Sequence, residues 1–314
     1  MLQRLATSRW ATPLVLSHAP FGCTSMVVAV TAGYLAIGLL AFAGWRLTGN
    51  DAWVEDFFRL PGALLLVWLA AIEVLFSLRV SYEFSPGQPL HRAWRLIAFS
   101  AGFDLAGAIL IQVLGVRSAL NPLAHTAWWP APAASAIRQS GLVMGGSCRF
   151  TMLAAGLFWV VRVYRQSGFL ARLAAVDWMV LALFGSYIVR ETGDVVAAIH
   201  GGARPGLGMV LGWPVDPLLL LLLGQAMLLN RSVKHTGDGW IGRCWRAFAL
   251  GIFLVSLGDV AIWAANSGFL PWPWSALQWY VWIPAAGAFA LAPAYQLEAI
   301  YHARGTWDPA VSDE

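Results

Sequence analysis

An all-α integral membrane protein with eight transmembrane helices and internal helix–loop–helix repeats is the fold class that this sequence predicts. Three observations carry that expectation: the composition, the spacing of the apolar runs and the placement of arginine. Of 314 residues, 59% are hydrophobic and only 11% are charged, with mean hydropathy +0.65. A soluble domain carries about 25% charged residues, so a polytopic membrane protein is the class that fits. One membrane domain, 26–299, fills the chain between a cytoplasmic N-terminal segment, 1–25, and a short cytoplasmic tail, 300–314.

A spanning helix needs about 20 mostly apolar residues. Eight runs meet that length: Met26–Trp45, Gly62–Val80, Ala93–Leu114, Gly141–Val163, Leu173–Ile199, Gly208–Asn230, Cys244–Asn266 and Ala276–Ala299. The N-terminal stretch before them has Arg4 and Arg9 but an apolar patch of only Pro13 to Leu16. That is too short for the core of a cleavable signal, so a retained segment is expected. In the sixth run Pro214 and Pro217 interrupt the start, which predicts a kinked or partly unwound entry. Pro284 and Pro293 predict kinks in the eighth.

Orientation follows from the loops. With the N-terminus in the cytoplasm, Arg79, Arg92, Arg95, Arg162, Arg165, Arg172, Arg231, Lys234, Arg243, Arg246 and Arg304 fall inside. Only Arg46, Arg59, Arg117, Arg138 and Arg204 fall outside. This is the bias of the positive-inside rule, and it points to a bacterial-type inner membrane with both termini cytoplasmic. Trp94, Trp178, Trp240 and Trp245 then form an inner aromatic belt, and Trp45, Trp53, Trp128, Trp129, Trp213, Trp272 and Trp274 an outer one.

The repeat rests on two matched stretches. Arg92, Trp94, Arg95 and Ala98 correspond to Arg243, Trp245, Arg246 and Ala249 at one offset, which also relates Ser81 to Ser232. Trp178 and Ala182 echo them more faintly. Each of these three helices carries a carboxylate further on: Asp104, Asp194 and Asp259. Parallel repeats of this kind occur in transporters and also in receptor-like sensor modules, so the repeat does not choose between them.

Charges at membrane depth are the chemically informative residues, since each costs roughly 2.5–3.5 kcal/mol on insertion scales. At a rise of ~1.5 Å per residue, Asp104 lies ~15 Å beyond Trp94 and Asp259 ~21 Å beyond Trp245. Arg190, Glu191 and Asp194 lie ~18–24 Å beyond Trp178, and Arg149 ~12 Å below Gly141. The expected pocket therefore gathers Arg149, Arg190, Glu191, Asp194 and Asp259 toward the outer face, with Asp104 beneath and Glu73 in the inner half. Two guanidiniums suit an anionic group, and the carboxylate surplus suits protons or a cation. The structural alternative pairs Arg149 with Asp194 and Arg190 with Asp259, as interhelical bridges. Asp216, between Pro214 and Pro217, reads as a helix-start carboxylate facing the dipole. Gly141, Gly145, Gly146 and Ser147 read as a packing face.

Several chemistries find no support. Cys23, Cys148 and Cys244 give neither a disulfide framework nor a metal spacing. His18, His91, His125, His200, His235 and His302 lie at helix ends or in loops, so no facing pair exists for axial haem ligation. The one lysine, Lys234, is in a loop, and no zinc helix, phosphate loop or dinucleotide fingerprint occurs. No catalytic constellation emerges, and no cofactor is specified. The partners expected are the lipid bilayer, protein partners in a membrane complex, and a small ligand or ion; nucleic acid is not among them. A receptor-like or accessory subunit is the first functional expectation. A proton-coupled small-molecule transporter is the alternative, and a quinone-interacting anchor of a redox complex is the third.

Overall fold

The computed structural model describes residues 19–57, 61–112, 131–202, 214–235, 240–266, 268–270 and 277–303. Among these every regular element is a helix. In chain order they are α1 (Ala19–Thr48), α2 (Ala52–Phe57), α3 (Ala63–Tyr82), α4 (Pro89–Gln112), α5 (Ala131–Val143) and α6 (Arg149–Gln166). Then follow α7 (Ala175–His200), α8 (Val215–His235), α9 (Trp240–Asn266) and α10 (Leu277–Ala303).

The apolar runs of the sequence coincide with the long helices. A π-helical turn, Met144–Cys148, joins α5 to α6 into one continuous helical passage. Among the described residues five passages are long and apolar enough to cross a membrane: Thr24–Thr48, Ala63–Tyr82, Pro89–Ile111, Ala136–Gln166 and Ile241–Ala265. The sixth run starts as helix at Val215, directly after Pro214, where a missing N–H costs nothing. Its first part, 208–213, lies outside the described residues. Pro284 and Pro293 are both accommodated inside α10, which continues to Ala303.

The outward faces show why lipid is the fitting surroundings. Leu39, Leu40, Leu75, Phe158, Leu183 and Val189 are all more than half exposed. With apolar side chains on both faces, burial of greasy surface does not choose the interhelical contacts; close packing and polar pairs do. α10 lies along α9, α3 and α1; α4 lies between α3 and α6; α8 packs on α6, α7 and α9. The main core joins Trp94, Ile97, Leu153, Leu157, Leu222, Trp245, Phe248 and Phe289. A second cluster joins Tyr34, Leu69, Trp279 and Ile283.

Small residues set the closest approach. A Cβ added to Gly107 of α4 would lie 2.6 Å from the backbone nitrogen of Gly145 and 2.8 Å from the Gly141 carbonyl oxygen. On Gly141 it would lie 2.6 Å from Ile111. The glycines expected to form a packing face thus let α4 and the α5–π-turn passage meet backbone to backbone. Gly156 does the same for α6 against Ile97 and the Ala93 carbonyl.

The two tryptophans of the matched stretches meet in the core. Trp94 and Trp245 stack with ring centroids 6.3 Å apart and planes at 29°, and Phe248 stacks on Trp245 at 5.8 Å. The indole N–H of Trp245 donates to the Tyr164 hydroxyl at 3.2 Å. Ser81 and Ser232 are both buried and donate to carbonyls of their own helices, Leu78 and Leu228, at 2.7 Å.

Candidate functional site

Buried charge first gathers around Arg149, the opening residue of α6. The preceding π-turn adds a residue to the helical register, a feature frequent at functional positions. Arg149 is 7% exposed, and its Nη1 donates to Asp104 Oδ1 of α4 at 2.7 Å. Its Nη2 lies 3.6 Å from Glu73 Oε2 of α3, a carboxylate only 1% exposed. The guanidinium also lies over two rings, 4.6 Å from the centroid of Phe289 and 5.3 Å from that of Phe150. One cation therefore ties three helices together, which suits a buried carboxylate pair that lipid cannot solvate. Arg149 Nε and Nη2 and Glu73 Oε1 are buried without a hydrogen-bond partner.

A cavity of about 510 Å³ opens beside this pair. Its charged lining is Asp104, Arg149, Glu191 of α7, Asp216 of α8 and Asp259 of α9. Its aromatic lining is Phe150, Tyr187, Trp263, Trp282 and Phe289, and Gly107, Gly145 and Gly146 form part of the wall. Asp216 lies within charge–charge reach of both Glu191 and Asp259. Among the described residues no arginine or lysine pairs with Glu191, Asp216 or Asp259.

Local sequence explains how the lining is held. Tyr187 and Glu191 are four residues apart on α7 and so share a face. Asp216 is in the first turn of α8, where the positive end of the helix dipole favours a carboxylate. Asp259 and Trp263 repeat the four-residue spacing on α9. Gly258 gives Trp282 room to lie against α9, since a Cβ there would collide with the indole nitrogen. Trp263 meets Tyr187 edge-on at 6.1 Å, joining α7 to α9.

The structure brings together four of the residues expected to form a pocket, Arg149, Glu191, Asp259 and Asp104, and rearranges the rest. Arg149 pairs with Asp104 and Glu73, and the Asp194 side chain, its partner in the structural alternative, lies outside the described ones. Arg190 does not reach Asp259; its guanidinium is exposed and sits 4.7 Å over the Trp263 ring. The physical reason is helix azimuth: Arg190 is adjacent to Glu191 and so points about 100° away from the cavity-facing side. Asp216, read from sequence as a helix-start residue, is that and also a wall of the cavity. The aromatic walls were not singled out in the sequence. The available signal was Tyr187 and Trp263 at four-residue spacing from the charges.

At the other end of the bundle, polar residues hold helix ends and loops. Arg231 bridges bidentately to Asp177, with Nε–Oδ2 2.9 Å and Nη2–Oδ1 3.1 Å. Asp177 also accepts from the Ala174 backbone N–H at 2.8 Å, closing the start of α7. His91 Nδ1 lies 2.8 Å from the Ser81 carbonyl oxygen. A recess beside Val163, Tyr164 and 167–172 carries a single charged residue, Arg172. Among the described residues no group of three or more His, Cys, Asp or Glu side chains is arranged to hold a metal ion.

Comparison with known proteins finds no matching family model, no matching curated protein and no matching solved structure.

Proposed function

We propose that this chain is an eight-helix membrane protein that binds a small ligand in its charged cavity, acting as a receptor-like protein or an accessory subunit of a membrane complex. The observation that carries the proposal is the convergence of Asp104, Arg149, Glu191, Asp216 and Asp259 on one cavity. These residues come from five helices, and each is costly at membrane depth. A purely structural role accounts for Arg149, Asp104 and Glu73, which compensate one another. It does not account for Glu191 and Asp259, nor for the helix-start carboxylate Asp216 facing the same space, with no described arginine or lysine paired to any of the three.

The arginine bias of the loops supports cytoplasmic termini in a bacterial-type inner membrane. In that orientation the C-terminal halves of α7 and α9 and the start of α8 lie outward, and the cavity with them. Glu191, Asp216 and Asp259 are then reached from the outer face.

Gentle purification from native membranes, followed by intact native mass, tests the proposal. A bound small molecule, or a stable larger assembly, is the result expected. A bare chain that neither carries nor gains a ligand, and has no partner, would count against it.

One observation favours transport as a second reading. The cavity wall contains Gly145 and Gly146 of the π-turn, and Trp282, Ala285 and Ala286 flank Pro284 of α10. Irregular turns and prolines in helices beside a binding site are points at which alternating access can hinge. Transport requires that Asp104→Asn or Asp259→Asn abolish pH-dependent uptake while the protein remains folded. Uptake unaffected by both substitutions would remove this reading.

A further inference from the structure

We infer that the ligand of this cavity is a small organic cation, held by Glu191, Asp216 and Asp259 against the rings of Tyr187 and Trp282. This deepens the ligand-binding reading and rests on it.

Charge balance is the first argument. Four carboxylates and one guanidinium line the cavity, and that guanidinium is already engaged by Asp104 at 2.7 Å and approached by Glu73. Glu191 and Asp216 share a proton through their hydrogen bond, and a surplus of carboxyl groups over cations still remains for an anionic ligand to face in surroundings that screen charge poorly. A cation relieves that surplus.

The walls distinguish an organic cation from a metal ion. The described His, Cys, Asp and Glu side chains offer no group of three or more that could hold a metal ion, although Glu191 and Asp216 hydrogen-bond to one another with Asp259 nearby. Carboxyl groups among aromatic faces suit an alkylammonium, whose charge is diffuse and whose body is apolar. The same walls already show this preference within the chain. Trp263 carries Arg190 over its ring at 4.7 Å, and Phe289 carries Arg149 at 4.6 Å. Among the described residues no cation lies over the ring of Tyr187 or Trp282.

Arg149 adds a second recognition element. It is more than nine-tenths buried, lines the cavity and keeps Nε and Nη2 without hydrogen-bond partners. Those N–H groups suit a neutral acceptor on the ligand, such as a carbonyl or ether oxygen. A volume of about 510 Å³ is within the range of about 300–1,000 Å³ usual for small-molecule sites.

The test is calorimetric titration of the full chain in lipid nanodiscs with benzylammonium, benzyltrimethylammonium, benzyl alcohol and benzoate. The inference expects both cations to bind at least tenfold more tightly than benzyl alcohol or benzoate. It also expects Asp259→Asn and, separately, Asp216→Asn to weaken cation binding at least tenfold with the elution profile unchanged. Using two single variants guards against either one failing to fold. Ala286→Phe, which fills the cavity, should abolish binding of every probe. Benzyl alcohol or benzoate binding as well as the cations, and lost in Ala286→Phe, would overturn the cation inference while keeping the ligand-binding reading. Binding that survives Ala286→Phe, or no binding of any probe, would overturn both.

Discussion

Arg149 and Asp104 form a 2.7 Å ion pair between α6 and α4, and Glu73 of α3 lies 3.6 Å from the other terminal nitrogen of the same guanidinium. Three helices meet at one cation. Its loss would leave two carboxylates buried without a counter-charge, and breaking a buried pair in this way costs about 3–5 kcal/mol. Arg149→Leu is therefore expected to lower the unfolding midpoint sharply or to prevent accumulation in the membrane. Adding Asp104→Asn and Glu73→Gln should recover much of the loss, because the orphaned charges disappear with it. Thermal unfolding in detergent of the single and triple variants checks this; equal instability of both would contradict it.

Gly107 offers a test of packing that involves no charge. Its position allows α4 to rest on the backbone of Gly141 and Gly145, and a Cβ would come within 2.6 Å of the Gly145 nitrogen. Gly107→Ala must push the two passages apart, and overpacking of this kind costs about 1–3 kcal/mol. Gly102, on the same helix, has no atom within 4 Å of an added Cβ. Gly102→Ala should therefore be neutral or slightly stabilising. Similar unfolding midpoints for the two variants would show that α4 does not pack as described.

The tryptophans at 94 and 245 test the core. They stack at 6.3 Å, and both are almost wholly buried. Trp94→Ala is expected to destabilise by about 3–5 kcal/mol. A double-mutant cycle with Trp245→Leu and Trp94→Leu should show coupling of about 0.5–1.5 kcal/mol. Additive effects would mean that the rings do not touch.

Arg190 is expected to behave differently from Arg149. It is exposed and held by a cation–π contact with Trp263, with no described carboxylate bridged to it. Arg190→Gln should cost about 0.5–1 kcal/mol, far less than Arg149→Leu. A loss as large as that of Arg149→Leu would point to a buried anion beside it.

The helices were legible because length and apolarity are one-dimensional properties: a run such as Ala93–Leu114 needs no partner to be recognised. Position along each helix was legible too, since a fixed rise per residue places Asp104, Arg149 and Asp259 along the helix axis. Azimuth was not. Which neighbour each charge faces depends on how the helices pack, and both faces of α4 and α7 are apolar, so no amphipathic stripe marks the inner side. Hence the pairing of Arg149 with Asp104 and Glu73 was not foreseen. The π-turn at Met144–Cys148 also shifts register in a way that the glycines suggest only after the fact. Asp216 was hidden by position, because a carboxylate at a helix start already has a local explanation. Short α2 was missed since six residues carry no spanning signal; it is placed by contact, with the Asp51 carboxylate accepting from the Trp45 indole at 3.0 Å and Tyr34 stacked on Phe57 at 4.8 Å.

The proposal stands on Glu191, Asp216 and Asp259 being there for a ligand rather than for the fold. Thermal unfolding of the triple variant Glu191→Gln, Asp216→Asn, Asp259→Asn beside the wild type tests this most directly. Groups kept for binding usually burden stability, and removing like charges that face one another relieves repulsion. The account predicts an unfolding midpoint equal to or above that of the wild type, with ligand binding lost. A midpoint lowered as far as by Arg149→Leu would make these carboxylates part of the structural network and contradict the account.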